Sequence, residues 1–170
     1  MRQFAIEFSG DRGYCLFMRP SLLLLILLWF ALALSAEAAT GRVIKVLPQF
    51  LDLKGRNSLS PSLFERDAYQ AVLRQHPERR SAMRFYVQWK AKGYAWDPLK
   101  LRVEMRGVAQ GGLPKALVLE APAKSGGWFS HWTGLTLTAD QYKDLGEVTS
   151  WRVTLWEGEQ LLGEQKSFLW

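Results

Sequence analysis

The 170-residue sequence predicts an all-β antiparallel sandwich of about seven strands, with one helix inserted after the first strand. Two observations lead to this prediction. Short segments in which apolar and polar residues alternate recur along the chain, and this period is typical of strands with one buried face. The chain has no regular alternation of strands with helices, which a parallel sheet would require, so we expect the strands to pair antiparallel.

The first strand is expected over residues 43–54, where Ile44, Val46 and Phe50 lie on one face of the alternation. Pro48 falls inside this segment, and proline cannot donate a hydrogen bond to a neighbouring strand. We therefore expect this strand to lie at a sheet edge or to be broken at Pro48.

A helix is predicted to follow, because Pro61 suits a first turn and Ser62 with Glu65 fits a capping box. It is expected to end at His76, since Pro77 disfavours helical backbone in the residue before it. The spacing predicts an inward face of Leu63, Ala68, Ala71, Val72 and Gln75, and an outward face of Glu65, Arg66, Asp67, Gln70 and Arg74.

Most of the rest of the chain is predicted to form strands. The clearest alternation covers residues 83–92 and 99–108, and shorter candidates cover residues 115–121 and 133–138. A final hairpin is expected, with a first arm around Trp151, a turn at Gly158 and a second arm over residues 160–169. Before it, Thr138 and Gln141 are predicted to cap a single helical turn that Gly146 ends in a left-handed conformation.

The helical turn that carries Tyr142, directly before the strand of Trp151, resembles the corner between the fifth and sixth strands of immunoglobulin-like domains. The resemblance is one of architecture and covers roughly residues 42–170. It implies an immunoglobulin-like topology, although the Cys-Trp-Cys core found in antibody domains is absent.

The N-terminal segment predicts export. Residues 22–34 are almost wholly apolar, which is short of the roughly 20 residues of a membrane-spanning helix but suits the core of a signal peptide. Because small residues follow, we expect residues 1–38 to be a signal peptide, with Met18 as the true start, and residues 39–170 to be one periplasmic or extracellular domain. An uncleaved anchor that tethers the domain to a membrane is the alternative.

The composition of the predicted mature domain excludes several kinds of active site and metal site. The single cysteine, Cys15, lies in the leader, so the predicted mature domain has no disulfide, thiolate nucleophile or cysteine-ligated zinc. The two histidines, His76 and His131, are not spaced as metal ligands, and no hydrolase or phosphate-binding motif is present. We expect a non-catalytic binding or structural module without metal or cofactor; a small envelope hydrolase built around His131 is the alternative.

The segment after Gly126 and Gly127 is the first candidate ligand site. It combines three aromatic rings with an imidazole, groups that stack on and hydrogen-bond to a glycan or a protein of the envelope. The alternative is that these side chains fold inward and close one end of the sandwich. The candidate residues are Trp128, Phe129, His131 and Trp132.

Cations on the polar sides of the two longest alternating strands form the second candidate. If the two strands share a sheet, they make a basic stripe for anionic partners; an immunoglobulin-like topology would divide it between two sheets. The net charge is +6, but export and the absence of recognised motifs argue against nucleic acid. The residues are Arg84, Lys100, Arg102 and Arg106, with Lys90 and Lys92 beside them.

We expect the protein isolated from its host to begin at Ala39, because the apolar run and the small residues after it fit a cleavage site. N-terminal sequencing and intact mass test this. Recovery of any peptide from residues 2–17 would contradict the assignment of Met18 as the start, and an uncleaved mass would favour the anchor.

Overall fold

The computed structural model describes residues 40–92, 97–109, 111–124 and 129–170, all within the compact unit Glu37–Trp170. These residues form seven strands in two antiparallel sheets, with two helices. The prediction of an all-β sandwich of about seven strands is therefore confirmed. The predicted signal peptide lies outside the described residues and stays a prediction.

The seven strands are divided between two sheets, which we call sheet A and sheet B. Sheet A has the strand order β1-β2-β5 and sheet B has the order β4-β3-β6-β7. In chain order the elements are β1 (Thr40–Asp52), α1 (Leu63–Gln75), a 3-10 turn (Pro77–Arg79), β2 (Arg80–Lys92), β3 (Leu99–Val108), β4 (Pro114–Pro122), β5 (His131–Thr136), α2 (Ala139–Leu145), β6 (Glu147–Glu157) and β7 (Gln160–Lys166).

The core lies between the facing sides of the two sheets. Phe85 and Trp89 of β2 are fully buried, and the Phe85 ring meets the Trp151 ring of β6 edge to face, with centroids 6.3 Å apart. Burial of one such side chain contributes about 2 to 3 kcal/mol. Because the described residues contain no cysteine, this packing and the backbone ladders hold the two sheets together.

The first strand is an edge strand and runs through Pro48 without a break, which is the first of the two arrangements that the proline allows. Among the described residues β1 pairs with β2 alone, and the register shifts once near Val43 and once near Leu51. At its start β1 lies against β7: a Cβ atom on Gly163 would be 2.8 Å from Arg42 Cα, and one on Gly41 would be 2.9 Å from the Leu162 Cβ. Only glycine allows this approach, which joins the two sheets along one side.

The predicted inward face of α1 is wrong. Gln70, expected outside, is only 3% exposed, whereas Leu63 and Val72 remain exposed. The reason is a paired hydrogen bond: Gln70 Oε1 accepts from the Phe50 N–H at 2.8 Å, and Gln70 Nε2 donates to the Phe50 carbonyl at 2.9 Å. The amide thus replaces a neighbouring strand at the outer side of β1. Leu73 adds the buried apolar contact.

Ser62 caps α1 as expected, but Pro61 lies before the cap and not in the first helical turn, since the helix begins at Leu63. Ser62 accepts from the Glu65 N–H, and α1 ends before His76. In α2 the predicted capping box of Thr138 and Gln141 is confirmed, and Gly146 ends the helix with a φ of +76°. No helix in the described ranges is long and apolar enough to cross a membrane.

The last strand is shorter than predicted. β7 ends at Lys166, because Trp170 N–H bonds back to the Ser167 carbonyl at 3.2 Å and turns the chain. Phe168 is 100% exposed as a result, and Leu169 is also exposed.

A buried carboxylate fixes the turn between β1 and α1. Asp52 Oδ1 accepts from the backbone N–H groups of Lys54 and Arg56, both at 2.8 Å, and Oδ2 accepts from Arg56 Nε at 2.9 Å and Tyr69 OH at 2.8 Å. Burial raises the pKa of Asp52, but the hydrogen bonds from Arg56 and Tyr69 outweigh it and hold the pKa at about 2, below its usual 3.8. Asp52 therefore ties α1 to the end of β1.

Asp52→Asn should lower the free energy of unfolding by about 2 kcal/mol at neutral pH, since the shifted pKa and the charge-assisted hydrogen bonds are lost. The depressed pKa makes this contribution complete above pH 3.8 and removes it as the pH falls through about 2. Urea unfolding of both proteins across this range should show their difference shrinking in acid. The exposed Asp67→Asn is the control, and a pH-independent difference would contradict the role of the Asp52 charge.

Candidate functional site

The alternation of β5 separates the residues of the first candidate site. His131 lies on the core side of the strand and Trp132 on the outer side, where it is 50% exposed. Phe129, before the strand, is 77% exposed. Trp128 lies outside the described residues. The segment therefore neither folds inward as a whole nor presents a single aromatic cluster.

His131 packs against the buried Trp89, with ring centroids 5.2 Å apart. Its Nε2 is buried and has no hydrogen-bond partner among the residues that the structure describes. Trp89 itself donates from Nε1 to Thr133 Oγ1 at 2.9 Å. His131 is thus part of the wall of the core at this end of sheet A.

Trp132 forms one wall of a groove across the outer face of sheet A, which we call the Trp132 groove. Its volume is about 500 Å³, within the range of small-ligand sites in proteins. The opposite wall is the first turn of α1, and the floor comes from β1 and β2. The lining residues are Lys45, Leu47, Gln49, Asn57, Leu63, Arg66, Tyr86 and Trp132.

The groove combines apolar and hydrogen-bonding groups. The Trp132 and Tyr86 rings and the Leu47 side chain offer apolar surface, while Gln49 Oε1 accepts from Asn57 Nδ2 at 2.6 Å at the base. Gly134, between Trp132 and Thr136 on β5, places no side chain against the Tyr86 ring, over which the Arg84 guanidinium lies at 5.6 Å from the ring centroid. An exposed indole beside fixed polar groups can stack on a ligand and orient it.

The predicted basic stripe is divided. Arg84 belongs to β2 in sheet A, whereas Lys100, Arg102 and Arg106 belong to β3 in sheet B. The division follows the second of the two expected arrangements, in which consecutive strands enter opposite sheets. The cations therefore act as two separate surfaces.

Carboxylates neutralise most of the sheet B surface. Lys100 Nζ lies 3.4 Å from Glu120 Oε1, and Arg102 Nε lies 3.2 Å from Glu104 Oε1. Glu104 Oε2 also accepts from Arg152 Nη2 at 2.6 Å. Glu120 is the residue of β4 that faces Arg102 in the register, so neighbouring strands supply the counter-charges.

Arg106 and Arg152 share an aromatic partner. The Arg106 guanidinium lies 4.2 Å from the Trp170 ring centroid and that of Arg152 lies 5.2 Å away. Cation–π contacts of this kind contribute about 0.5 to 1 kcal/mol each at exposed sites. The turn after β7 thus lies over the outer face of sheet B.

Arg84 and Lys45, on the outer face of sheet A, differ from most cations of sheet B in having no carboxylate partner among the described residues. Arg84 donates from Nε to Thr136 Oγ1 at 2.7 Å and from Nη1 to Tyr86 OH at 3.0 Å. Within the described ranges neither Arg84 nor Lys45 lies in an ion pair. Beside the Trp132 groove, therefore, two cations lack a carboxylate among the described residues.

Sequence reasoning identified Trp132 but missed most of the groove. Alternation in the first strand places Lys45 and Gln49 on one side, which is the only signal for them. Asn57, Leu63 and Arg66 enter the groove because Gln70 fixes α1 against β1, and no local pattern marks such long-range contacts. In the described part of the chain, no group of three or more His, Cys, Asp or Glu residues could hold a metal ion.

Glu104→Gln should release Arg102 and Arg152 and strengthen retention on a heparin column. Glu159→Gln is the matched control, because it changes the net charge equally at an exposed acid that lies in no ion pair among the described residues. We expect Glu104→Gln also to lose about 1 kcal/mol of stability, as hydrogen bonds to charged groups are broken. Equal retention of the two variants would show that Glu104 does not mask the basic surface.

Comparison with known proteins found no matching family model, no matching curated protein and no matching solved structure. The function is therefore argued from the chain's own residues, and above all from the outer face of sheet A.

Proposed function

We propose that this protein is an exported, non-catalytic binding module of the cell envelope or the extracellular space, and that it binds its ligand in the Trp132 groove. The observation that carries this proposal is the half-exposed Trp132 side chain, which stands beside a groove of about 500 Å³ rather than packing into the core. A solvent-exposed indole is unfavourable for solubility, and large exposed aromatic groups beside polar side chains are typical of binding sites.

The groove has the composition of a recognition surface. Tyr86, Leu47 and Trp132 supply apolar contact area, and Asn57 and Gln49 supply amide groups. Lys45 and Arg84 add positive charge that the described acidic residues do not neutralise. These features favour an anionic or polar ligand with an apolar part.

Export is supported by the apolar run of residues 22–34 and the small residues after it. The proposed domain is immunoglobulin-like; the support is that two antiparallel sheets pack face to face and that α2, with Tyr142, directly precedes β6. Such sandwiches present binding surfaces on a rigid framework.

The non-catalytic assignment is favoured by the position of His131. The rival hydrolase would need this imidazole in an accessible site, but it packs on Trp89 at the core side of β5. The groove lies on the opposite side of that strand.

Trp132→Ala should reduce co-sedimentation of the purified protein with envelope fragments of the host by about tenfold or more, as the loss of a central aromatic contact does at binding sites. The measurement is the bound fraction at low and at high salt. Salt should weaken wild-type binding only in part, because the aromatic contact is insensitive to screening.

The control is Phe168→Ala, which removes a fully exposed aromatic side chain outside the groove. It should bind as the wild type does. Equal binding of Trp132→Ala and the wild type, or no sedimentation of the wild type, would refute the proposed site.

A further inference from the structure

The outer edge of β5 offers backbone groups for hydrogen bonding. The Leu137 N–H donates to the Met83 carbonyl at 2.9 Å, and the register with β2 continues from there without a shift. Bonded and non-bonded pairs alternate in an antiparallel ladder, so Leu135, Thr133 and His131 exchange hydrogen bonds with β2. The N–H and C=O groups of Trp132, Gly134 and Thr136 therefore point away from β2, and no other described strand pairs with them.

The other outer strands are protected. Gln70 bonds to both backbone groups of Phe50 on β1, and β7 lies against β1 at Gly163. On β4, the bond from Ala123 N–H to the Leu99 carbonyl sets the same alternation, so the outward positions begin with Pro114 and end with Pro122. Proline has no N–H, so a strand added to β4 would lack a hydrogen bond at each end of the edge. The described part of β5 carries none of these protections.

The charge and shape beside this edge indicate what kind of strand it accepts. Arg84 reaches Thr136 at the edge and lies in no ion pair among the described residues. A Cβ atom on Gly134 would lie 3.6 Å from Tyr86 Cε1 and 3.7 Å from Arg84 Cδ, which is ordinary contact. Position 134 therefore has room for a Cβ, and because Gly134 carries none, an added strand can approach the edge closely between Trp132 and Thr136.

We propose that an extended, acidic segment of a partner protein adds to β5 as a fourth strand of sheet A. Its backbone would bond to Trp132, Gly134 and Thr136. Only a polypeptide presents donors and acceptors at the spacing of a strand edge, and its carboxylates would complement Arg84, which reaches this edge at Thr136. This inference deepens the proposed function and rests on it, because it names the ligand class.

The test compares Gly134→Pro with Gly134→Ala. Proline removes the outward N–H without breaking a bond to β2, whereas alanine adds a Cβ and keeps the N–H. The probes are peptides selected against the wild type from a displayed library of random short sequences. We expect the selected peptides to be rich in Asp and Glu, to bind Gly134→Ala nearly as well as the wild type, and to bind Gly134→Pro at least about tenfold more weakly.

Amide hydrogen exchange gives an independent test of strand addition to β5. In the unbound protein, the N–H groups of Trp132, Gly134 and Thr136 should exchange faster than those of Thr133 and Leu135, which bond to β2. A bound peptide should slow the first set alone. Failure to select any peptide, equal binding by the proline and alanine variants, or an unchanged exchange pattern would each overturn strand addition.

Failure of this inference and failure of the proposed function can be told apart. If the wild type sediments with protease-treated envelope fragments and Trp132→Ala does not, the binding module stands and its ligand is not a polypeptide. If the protein instead forms a dimer that Gly134→Pro abolishes, the added strand belongs to a second copy, and the partner assignment is overturned.

Discussion

The structure depends on how its sheet edges are closed. In a three-stranded sheet only the central strand has both sides paired, so β1 and β5 each leave a row of backbone groups that must bond elsewhere. On β1 the Gln70 amide bonds to the outward N–H and C=O groups of Phe50. These two hydrogen bonds also hold α1 over the outer face of sheet A. The turn at Asp52 reinforces the same attachment. The helix that shapes the groove is therefore a consequence of the need to protect an edge.

Strand alternation then divides the remaining side chains between the core and the outer faces of the two sheets. Adjacent residues of β5 have opposite roles: His131 completes the wall of the core, and Trp132 faces outward. The same rule assigns the cations of β2 and β3 to opposite faces of the molecule. On sheet B, Glu104 of β3 and Glu120 of β4 pair with cations of the sheet, so charge is largely balanced there. On sheet A neither Arg84 nor Lys45 lies in an ion pair among the described residues.

The features that depend on neighbouring residues in the chain, namely the strands and the ends of the helices, could be predicted from the sequence. Alternation identified the strands, and Pro48 limited the first strand to an edge or a break. Capping residues identified the start of both helices, and Pro77 and Gly146 identified their ends. The inward face of α1 was predicted wrongly, since apolar spacing cannot reveal that the Gln70 amide takes the place of a strand. The last strand was predicted too long because the apolar residues Phe168 and Leu169 suggested that the strand continues, although the chain turns at Ser167. Trp132 could be chosen from its sequence surroundings, whereas its partners Asn57 and Arg66 come from elements that only the tertiary fold brings together.

The glycine contact between β1 and β7 has a consequence for how the domain forms. Gly41 and Gly163 lie near opposite ends of the described chain, and β2 pairs with β5 across the whole of β3 and β4. Only the β3–β4 and β6–β7 hairpins are local. Contacts between distant parts of a chain must overcome loop-closure entropy before they stabilise it, and they slow folding. We therefore expect non-local pairing to limit the folding rate, because the contact between β1 and β7 can form only when both ends of the domain are present.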